Sequence, residues 1–172
     1  WKAALKLHQQ DIVQAAFLVL TNDSFWGPIT PLDDLFQRLH ASSADVIGLT
    51  DDLMYEPHLS SAFTVYKPKA LRCPAFGHFW ETLQIWPRKR DLVKQCEVGL
   101  TVQLRAAGLK LESLYTHNAN GNVLHYDWKH LIEQRGFPFL KVSLLRDNPT
   151  RQPVDTWPEV IGQRNPQLAA SI

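Results

Sequence analysis

Apolar side chains recur along this chain in two patterns. Short apolar runs predict strands over 15–21, 44–50, 60–68 and 109–116, and the first run is typical of a strand buried on both faces. Apolar residues at every third or fourth position predict helices over 2–14, 32–42, 74–86, 90–108, 123–136 and 156–164. The residues from 165 to 172 show neither pattern and are expected to fray. Because strands and helices alternate, we predict an α/β fold.

The first two strands and the helix between them predict a crossover unit. They fit within about 35 residues, which favours two parallel strands joined by a right-handed connection. We therefore expect a mixed, mainly parallel sheet flanked by helices, in a single domain over 1–172. In open sheets of this kind, ligands bind at the carboxyl ends of the strands.

Polar residues follow both of these strands. Asn22, Asp23 and Ser24 come directly after the first strand, and Asp51 and Asp52 come after the second. Two adjacent parallel strands would bring the acids into one crevice, where carboxylates either bind a divalent cation or repel one another.

The stretch from Asn22 to Ser24 has two interpretations. Its residue types favour turns because their side chains hydrogen-bond nearby backbone groups, so it could be a turn and nothing more. Alternatively, Asp23 is an oxygen ligand for Mg²⁺ or Mn²⁺, with substrate phosphates completing the coordination shell. The rigid segment 25–28 favours the second interpretation, because a turn alone does not need that support.

Composition narrows the class of protein. The 172 residues fit one domain, 45% of them are hydrophobic, and the net charge of +1 gives no sign of a nucleic-acid partner. The longest apolar run is far too short to span a bilayer, and no signal peptide is visible. The two cysteines, Cys73 and Cys96, are expected to be reduced and half-buried. Since the chain begins with Trp1, we interpret it as a piece of a longer protein.

Glu97 is a candidate general base on the helix with the strongest pattern. Helical geometry places it on one face with Thr101 and Arg105. This face lies beside the apolar stripe of the same helix, which consists of Leu92, Cys96, Leu100 and Leu104. It is either a surface glutamate or a carboxylate that deprotonates a hydroxyl group.

Two further groups of residues are candidates for substrate binding. Asp51, Asp52 and His58 share one predicted loop, although each could equally be a solvated or packed side chain. Lys141 and Arg146 follow a Phe-Pro-Phe turn and could clamp a diphosphate, or they could lie on a solvated strand edge.

Five segments carry motifs in a recognisable order: "VLTNDSFWGPITPLDDLFQRLHASSADVIGLTDD", "HLSSAFTVYKPKAL", "FWETL", "CEVGLTVQLRAAGL" and "WKHLIEQRGFPFLKVSLLRDNP". Together they resemble the rhamnan synthesis protein F family, which comprises glycosyltransferase-like proteins of bacterial surface polysaccharide assembly. The likeness runs from about residue 17 to 149. In "HLSSAF" the family usually has a glutamine and an aromatic residue where this chain has Ser60 and Ala62.

The resemblance implies the second half of a GT-A glycosyltransferase fold, with the nucleotide-binding first strands preceding Trp1. In that fold an acidic strand end holds a metal against the sugar-nucleotide diphosphate, and Asp23 is the matching position. A helical acid is the base in inverting members, and Glu97 matches it, with Val98 where a second acid is common.

The chain is therefore predicted to transfer rhamnose or another deoxyhexose from a nucleotide-sugar donor to a growing surface polysaccharide. Asp23 would hold Mg²⁺ or Mn²⁺, and Glu97 would act as the base. The predicted substrate-binding residues are Asn22, Ser24, Asp51, Asp52, His58, Ser61, Lys141 and Arg146. Trp26, Phe79 and Trp80 offer apolar faces for stacking on sugars, with core packing as the alternative.

We expect a cytoplasmic protein at the inner face of the cell membrane, beside other polysaccharide-assembly enzymes and without a nucleic-acid partner. Two other classes remain open. One is a metal-dependent hydrolase that uses Asp23, Asp51 and His58, and the other is a non-catalytic glycan-binding or scaffolding domain.

Overall fold

The computed structural model describes residues 1–116 and 121–170, which form two compact units. The first unit comprises Trp1–Thr21 and the described part of Ala41–Asn120. The second comprises Asn22–His40 and the described part of Gly121–Ile172. The chain thus passes from one unit to the other between the predicted first strand and the polar stretch that follows it.

The elements alternate between strands and helices, which confirms the α/β class. The strands are β1 (Leu18–Thr21), β2 (Phe25–Trp26), β3 (Val46–Gly48), β4 (Asp51–Asp52), β5 (His58–Leu59), β6 (Phe63–Tyr66), β7 (Leu111–Ser113) and β8 (Leu140–Lys141). The helices are α1 (Lys2–Leu7), α2 (Gln9–Gln14), α3 (Asp33–Ala41), α4 (Pro68–Leu71), α5 (Pro74–Thr82), α6 (Lys89–Leu92), α7 (Gly99–Ala106), α8 (Val123–Tyr126), α9 (Trp128–Arg135), α10 (Val142–Arg146), α11 (Trp157–Arg164) and α12 (Pro166–Ala169).

The sheet of the first unit has the strand order β1-β6-β3-β7. Strand β6 pairs antiparallel with both β1 and β3, and only the β3–β7 pair is parallel. The sheet is mixed, as predicted, but the expectation of a mainly parallel sheet is wrong. Strands β1 and β3 run in the same direction with β6 between them, so they are not the adjacent pair that the crossover pattern predicted.

Burial explains this order. All four residues of β6 and all three of β3 are buried, as central strands require, whereas Leu20 is the only buried residue of β1. The prediction that the first strand is buried on both faces is therefore wrong, because β1 stands at the end of the strand order. The core of this unit includes Val46, Tyr66 and Leu104.

The longest predicted helix contains a π-helical segment, Val93–Val98, between α6 and α7. A π-helix turns less per residue than an α-helix, so it rotates preceding side chains off the buried face. Leu104 in α7 is 1% exposed, whereas Leu92 in α6 is 44% exposed. The helix ends at Gly108, which adopts the positive φ of +77° expected of a helix stop.

The second unit packs around an apolar cluster that includes Ile29, Trp128 and Ile161. Its strands β2 and β8 form a two-stranded antiparallel ladder. Of the predicted frayed tail, residues 166–169 form α12, whose first turn is capped by the Asn165 side chain bonding to Leu168 N at 3.0 Å. Residues 171 and 172 lie outside the described part of the chain.

Two predictions from composition can be compared with these units. Cys73 and Cys96 are free and half-buried, as expected. Across residues 1–116 and 121–170, no helix combines the length and apolar character needed to cross a bilayer.

Candidate functional site

The candidate residues fall into two groups, one in each unit. Asn22, Asp23, Ser24, Lys141 and Arg146 belong to the second unit. Asp51, Asp52, His58, Ser61 and Glu97 belong to the first. Each group is described by itself.

The stretch after β1 is a side-chain-closed turn, and Asn22 closes it. Its Oδ1 accepts hydrogen bonds from the Ser24 backbone N–H, at 3.1 Å, and from the Ser24 hydroxyl. This is the turn chemistry that Asn and Ser favour. The turn interpretation is thus correct for Asn22 and Ser24, while Asp23 is left out of the hydrogen bonding.

Lys141 lies against this turn because β8 pairs with β2. Its partner in the ladder is Phe25, and its ammonium lies 5.3 Å from the centroid of the Phe25 ring. Lys141 Nζ also donates to Ser24 Oγ at 2.6 Å, and the Val142 N–H donates to the Ser24 carbonyl at 2.9 Å. The ladder therefore fixes a cation beside the Asn22–Ser24 turn, as the diphosphate-clamp prediction requires.

Phe25 is held by other rings of the "GFPF" segment. It stacks on Phe139, with centroids 5.1 Å apart and planes at 14°, and meets the edge of Phe137 at 5.9 Å. Such pairs add about 0.5–1.5 kcal/mol to the burial of their surface. The segments "NDSFWGP" and "GFPF" therefore contribute the two sides of one aromatic cluster.

Asp23 is exposed, and no hydrogen bond or ion pair within the described ranges ends on its carboxylate. The negative charge of Asp23 acts on the Arg146 guanidinium. The pKa of the Arg146 guanidinium is raised chiefly by its hydrogen bond to Asp147 and by that residue's charge, and further by the charge of Asp23. The second unit thus places an exposed carboxylate, in the turn that contacts Lys141, where its charge acts on Arg146.

The residues after Arg146 hold its loop in place. Arg146 donates from Nε and Nη2 to Asp147 Oδ2, at 2.9 and 2.7 Å. Asn148 bonds to Gln152 through both side-chain amide atoms, at 2.8 and 2.9 Å. The "RDNP" motif is explained by these contacts: its first two residues pair with each other and the third closes the loop.

The described residues favour one mode of metal binding over another. Among the described residues, no group of three His, Cys, Asp or Glu side chains could hold a metal ion. A cation enclosed by protein ligands is therefore not supported. Mg²⁺ also binds through a single carboxylate together with substrate phosphates and water, and the exposed Asp23 carboxylate fits that mode.

In the first unit, the predicted acids and His58 belong to one small hairpin. Strands β4 and β5 pair Asp51 with Leu59 and Asp52 with His58. Asp52 Oδ1 accepts from the Met54 N–H at 2.7 Å, so this acid closes the turn that follows it. His58 is 4% exposed, and its Nδ1 lies 2.8 Å from the Glu56 carbonyl oxygen. These contacts favour a structural role for His58.

Glu97 lies in the π-helical segment and contacts the turn that follows β5. Its Oε2 accepts from the Ser61 N–H at 3.3 Å. Four residues along the helix, Thr101 Oγ1 accepts from the Leu59 N–H at 3.2 Å. Four further, Arg105 Nη2 donates to the carbonyl of Pro57 at 3.3 Å. The face that helical spacing assigned to Glu97, Thr101 and Arg105 is therefore the face that binds residues 57–61.

The spacing of these bonds has a simple geometric origin. Four residues of α-helix advance about 6 Å, and two residues of a strand advance about 6.6 Å. Helical positions four apart can therefore meet strand positions two apart in register. Burial and then the Glu97 charge raise the pKa of the neighbouring Cys96 thiol, which disfavours the thiolate form.

The aromatic residues expected to stack on sugars lie in packed environments. Phe79 is 5% exposed, Trp26 packs edge-on against Trp157 at 5.9 Å, and Trp80 packs against Phe76 and Phe79. An exposed aromatic residue that the sequence analysis did not single out, Tyr55, lies in the β4–β5 hairpin and is 45% exposed. No sequence pattern marks it, because exposure depends on the tertiary structure.

Comparison with known proteins places the chain in a family. No solved structure matches it. It is 29% identical over 115 residues to y4gN, an uncharacterized protein of Sinorhizobium fredii, and the matched region covers 64% of this chain and 30% of that protein. The model of the rhamnan synthesis protein F family matches residues 1–164. Since that match spans nearly the whole chain, the chain belongs to the rhamnan synthesis protein F family.

Proposed function

We propose that this chain is part of a GT-A-like glycosyltransferase that transfers rhamnose or another deoxyhexose from a nucleotide sugar to a growing surface polysaccharide. Family membership supports the role in polysaccharide synthesis. The transferase part rests on one observation above all: Asp23 presents an exposed carboxylate without hydrogen bonds to described residues, in a turn that also contacts Lys141.

The group around Asp23 would bind the donor diphosphate. Lys141 and Arg146 carry positive charges of the kind that bind phosphate oxygens. Lys141 is oriented by its bond to Ser24 Oγ, and Ser24 is oriented in turn by Asn22. A Mg²⁺ or Mn²⁺ ion bound to Asp23 would supply charge neutralisation for the leaving diphosphate. The protein's own contribution is to hold one carboxylate on the Asn22–Ser24 turn, with Lys141 bonded to that turn and the Arg146 guanidinium influenced by the Asp23 charge.

Glu97 would accept the proton of the acceptor hydroxyl. Its carboxylate is half-buried, and one oxygen is oriented by the Ser61 N–H. The other oxygen makes no hydrogen bond to a described residue, so it can accept one from a sugar hydroxyl. A base must lie within hydrogen-bond reach of the proton that it removes, and a carboxylate with one oriented oxygen and one available oxygen suits that role.

The hydrolase alternative has less support. It requires Asp23, Asp51 and His58 around one metal, but no cluster of three such ligands occurs in the described ranges. The buried and hydrogen-bonded ring of His58 is also a poor metal ligand.

The test uses the full-length protein with dTDP- and UDP-sugars, with and without Mn²⁺. We expect Asp23→Asn to weaken metal-dependent donor binding at least tenfold, and Glu97→Gln to lower the transfer rate by roughly 10²–10⁴-fold with donor binding unchanged. Asp155→Asn and Glu81→Gln are matched controls, since both side chains are exposed acids outside the proposed site.

Three outcomes would contradict the proposal. The first is that no nucleotide sugar binds. The second is that Glu97→Gln retains full transfer. The third is that the nucleotide sugar is hydrolysed at a rate indifferent to added acceptor, which would indicate a hydrolase instead.

A further inference from the structure

Tyr55 occupies a strained turn at the tip of the β4–β5 hairpin. The Glu56 N–H donates to the Met54 carbonyl at 3.0 Å, and the central residue, Tyr55, has a φ of +71°. A three-residue turn with a positive central φ is rare and strained, and a residue with a side chain seldom adopts it. Glycine or asparagine would be easier to accommodate there.

The strain is not explained by packing of the Tyr55 ring. The residue is 45% exposed, so burial of its side chain does little to stabilise the fold. Single exposed aromatic residues are common and by themselves indicate nothing. An exposed tyrosine in a position that disfavours tyrosine is different, because such strain persists where the residue serves a function.

The Tyr55 ring contacts a lysine of the π-helical segment Val93–Val98. Lys94 Nζ lies 4.4 Å from the ring centroid, within the range of a cation–π contact. The Lys94 ammonium occupies one face of the ring, and the exposure of the residue leaves surface for another ligand. Tyr55 therefore presents an exposed aromatic surface with Lys94 against one part of the ring.

Lys94 and Glu97 belong to the same π-helical segment, Val93–Val98. This segment contacts the hairpin twice: Lys94 contacts the Tyr55 ring, and Glu97 binds Ser61. The aromatic ring and the carboxylate are thus anchored on one six-residue stretch of helix. π-Helical segments occur frequently at functional sites.

From this arrangement we infer that Tyr55 stacks on a sugar ring of the acceptor glycan, an inference that rests on the proposed function. A sugar ring has an apolar C–H face, which packs on an aromatic face, and a rim of hydroxyl groups, which binds carboxylates. Tyr55 and Glu97 supply these two complementary groups from one helical anchor.

The test measures binding of a rhamnose trisaccharide to the full-length protein, without donor, by calorimetry and by saturation-transfer NMR. We expect Tyr55→Ala and Tyr55→Asn to weaken binding about three- to tenfold, the range for loss of one aromatic contact. Tyr55→Phe keeps the ring and should bind like the wild type. Tyr126→Ala is the matched control, since Tyr126 is a tyrosine of similar exposure in the other unit.

The asparagine variant separates a binding role from a structural one. If Tyr55 serves binding, Tyr55→Asn relieves strain and melts no lower than the wild type while its binding of the trisaccharide is weakened about three- to tenfold. A Tyr55→Asn protein that binds the trisaccharide normally, or that melts several degrees lower, overturns the inference. So does a wild-type protein that does not bind the trisaccharide.

The same experiment distinguishes this inference from the proposed function. Since no donor is present, trisaccharide binding that depends on Tyr55 in a protein without transfer activity would refute the transferase and support the stacking site. Transfer with an unchanged acceptor KM in Tyr55→Ala would refute the stacking site alone.

Discussion

Gly27 directly follows β2, and its replacement by alanine tests how the turn that carries Asp23 is held. The backbone of Gly27 has a φ of +142°, which side-chain-bearing residues rarely adopt. A Cβ atom there would lie 2.9 Å from the Pro138 carbonyl oxygen and 3.1 Å from Phe139 Cδ1. The carbonyl cannot move freely, because it accepts the Ile29 N–H at 2.8 Å.

The cost of Gly27→Ala follows from these contacts. The unfavourable backbone conformation costs about 1–3 kcal/mol. Displacing the Pro138 carbonyl weakens its hydrogen bond to Ile29, at about 1 kcal/mol. We therefore expect the free energy of unfolding of the second unit to fall by about 2–4 kcal/mol, with a melting temperature lower by roughly 8–30 °C for a unit of this size.

Gly77→Ala is the matched control, with the opposite expected sign. Gly77 lies inside α5, and a Cβ there would meet nothing within 4 Å. Alanine favours a helix over glycine by up to about 1 kcal/mol, so this variant should be as stable as the wild type or more so.

Urea denaturation measures both variants, and hydrogen-exchange mass spectrometry assigns the loss of stability to a unit. The reasoning predicts faster exchange in residues 22–40 and 121–170 of Gly27→Ala. Equal stability of Gly27→Ala and wild type within about 0.5 kcal/mol would refute it. A loss of similar size in Gly77→Ala would also refute it, because the effect would then not depend on the contacts of Gly27.

Two further predictions concern the first unit. Thr101→Val removes the acceptor of the Leu59 N–H while keeping the side-chain shape. The Leu59 amide should therefore lose about 1–3 kcal/mol of protection from hydrogen exchange, whereas Thr101→Ser should retain that protection. Unchanged protection in the valine variant would contradict the hydrogen bond. Asp45 Oδ2 accepts from Lys69 Nζ at 2.9 Å and from the Lys110 N–H at 2.8 Å. Although desolvation raises the pKa of Asp45, these hydrogen bonds and charges lower it overall, below its usual 3.8. A lowered folded pKa stabilises the protein above pH 3.8, and that contribution is lost as pH falls through the folded pKa. Asp45→Asn should therefore unfold at lower urea than the wild type at pH 7, with a difference that shrinks below about pH 4; a pH-independent difference would show that charge is not its cause.

Part of the candidate chemistry was visible in the sequence because it is local. The Asn22–Ser24 turn forms between residues two positions apart, so its residue types are enough to predict it. The helical spacing of Glu97, Thr101 and Arg105 likewise predicts that these side chains share a face. Neither pattern could show that Asn22 closes the turn and Asp23 does not, since asparagine and aspartate side chains can both close such a turn.

The strand order could not be read from the pattern. The spacing of the first strand, the helix and the second strand predicted adjacent parallel partners, yet β6 lies between β1 and β3. Local spacing does not show which strand becomes central in the sheet, because the central position is taken by the strand that buries most of its residues. Phe63–Tyr66 is buried throughout, so it takes the central position.

The sequence by itself determined the α/β class, the family, the positions of several helices and the residue types available for chemistry, because these depend on neighbours along the chain. Only the tertiary structure decided which residues meet. It places Lys141 on Ser24, 117 positions away, and Ser61 on Glu97, 36 positions away. It also forces Tyr55 into a strained and exposed turn. Contacts between distant residues arise from packing of the whole unit, and no local pattern of apolar and polar positions specifies them.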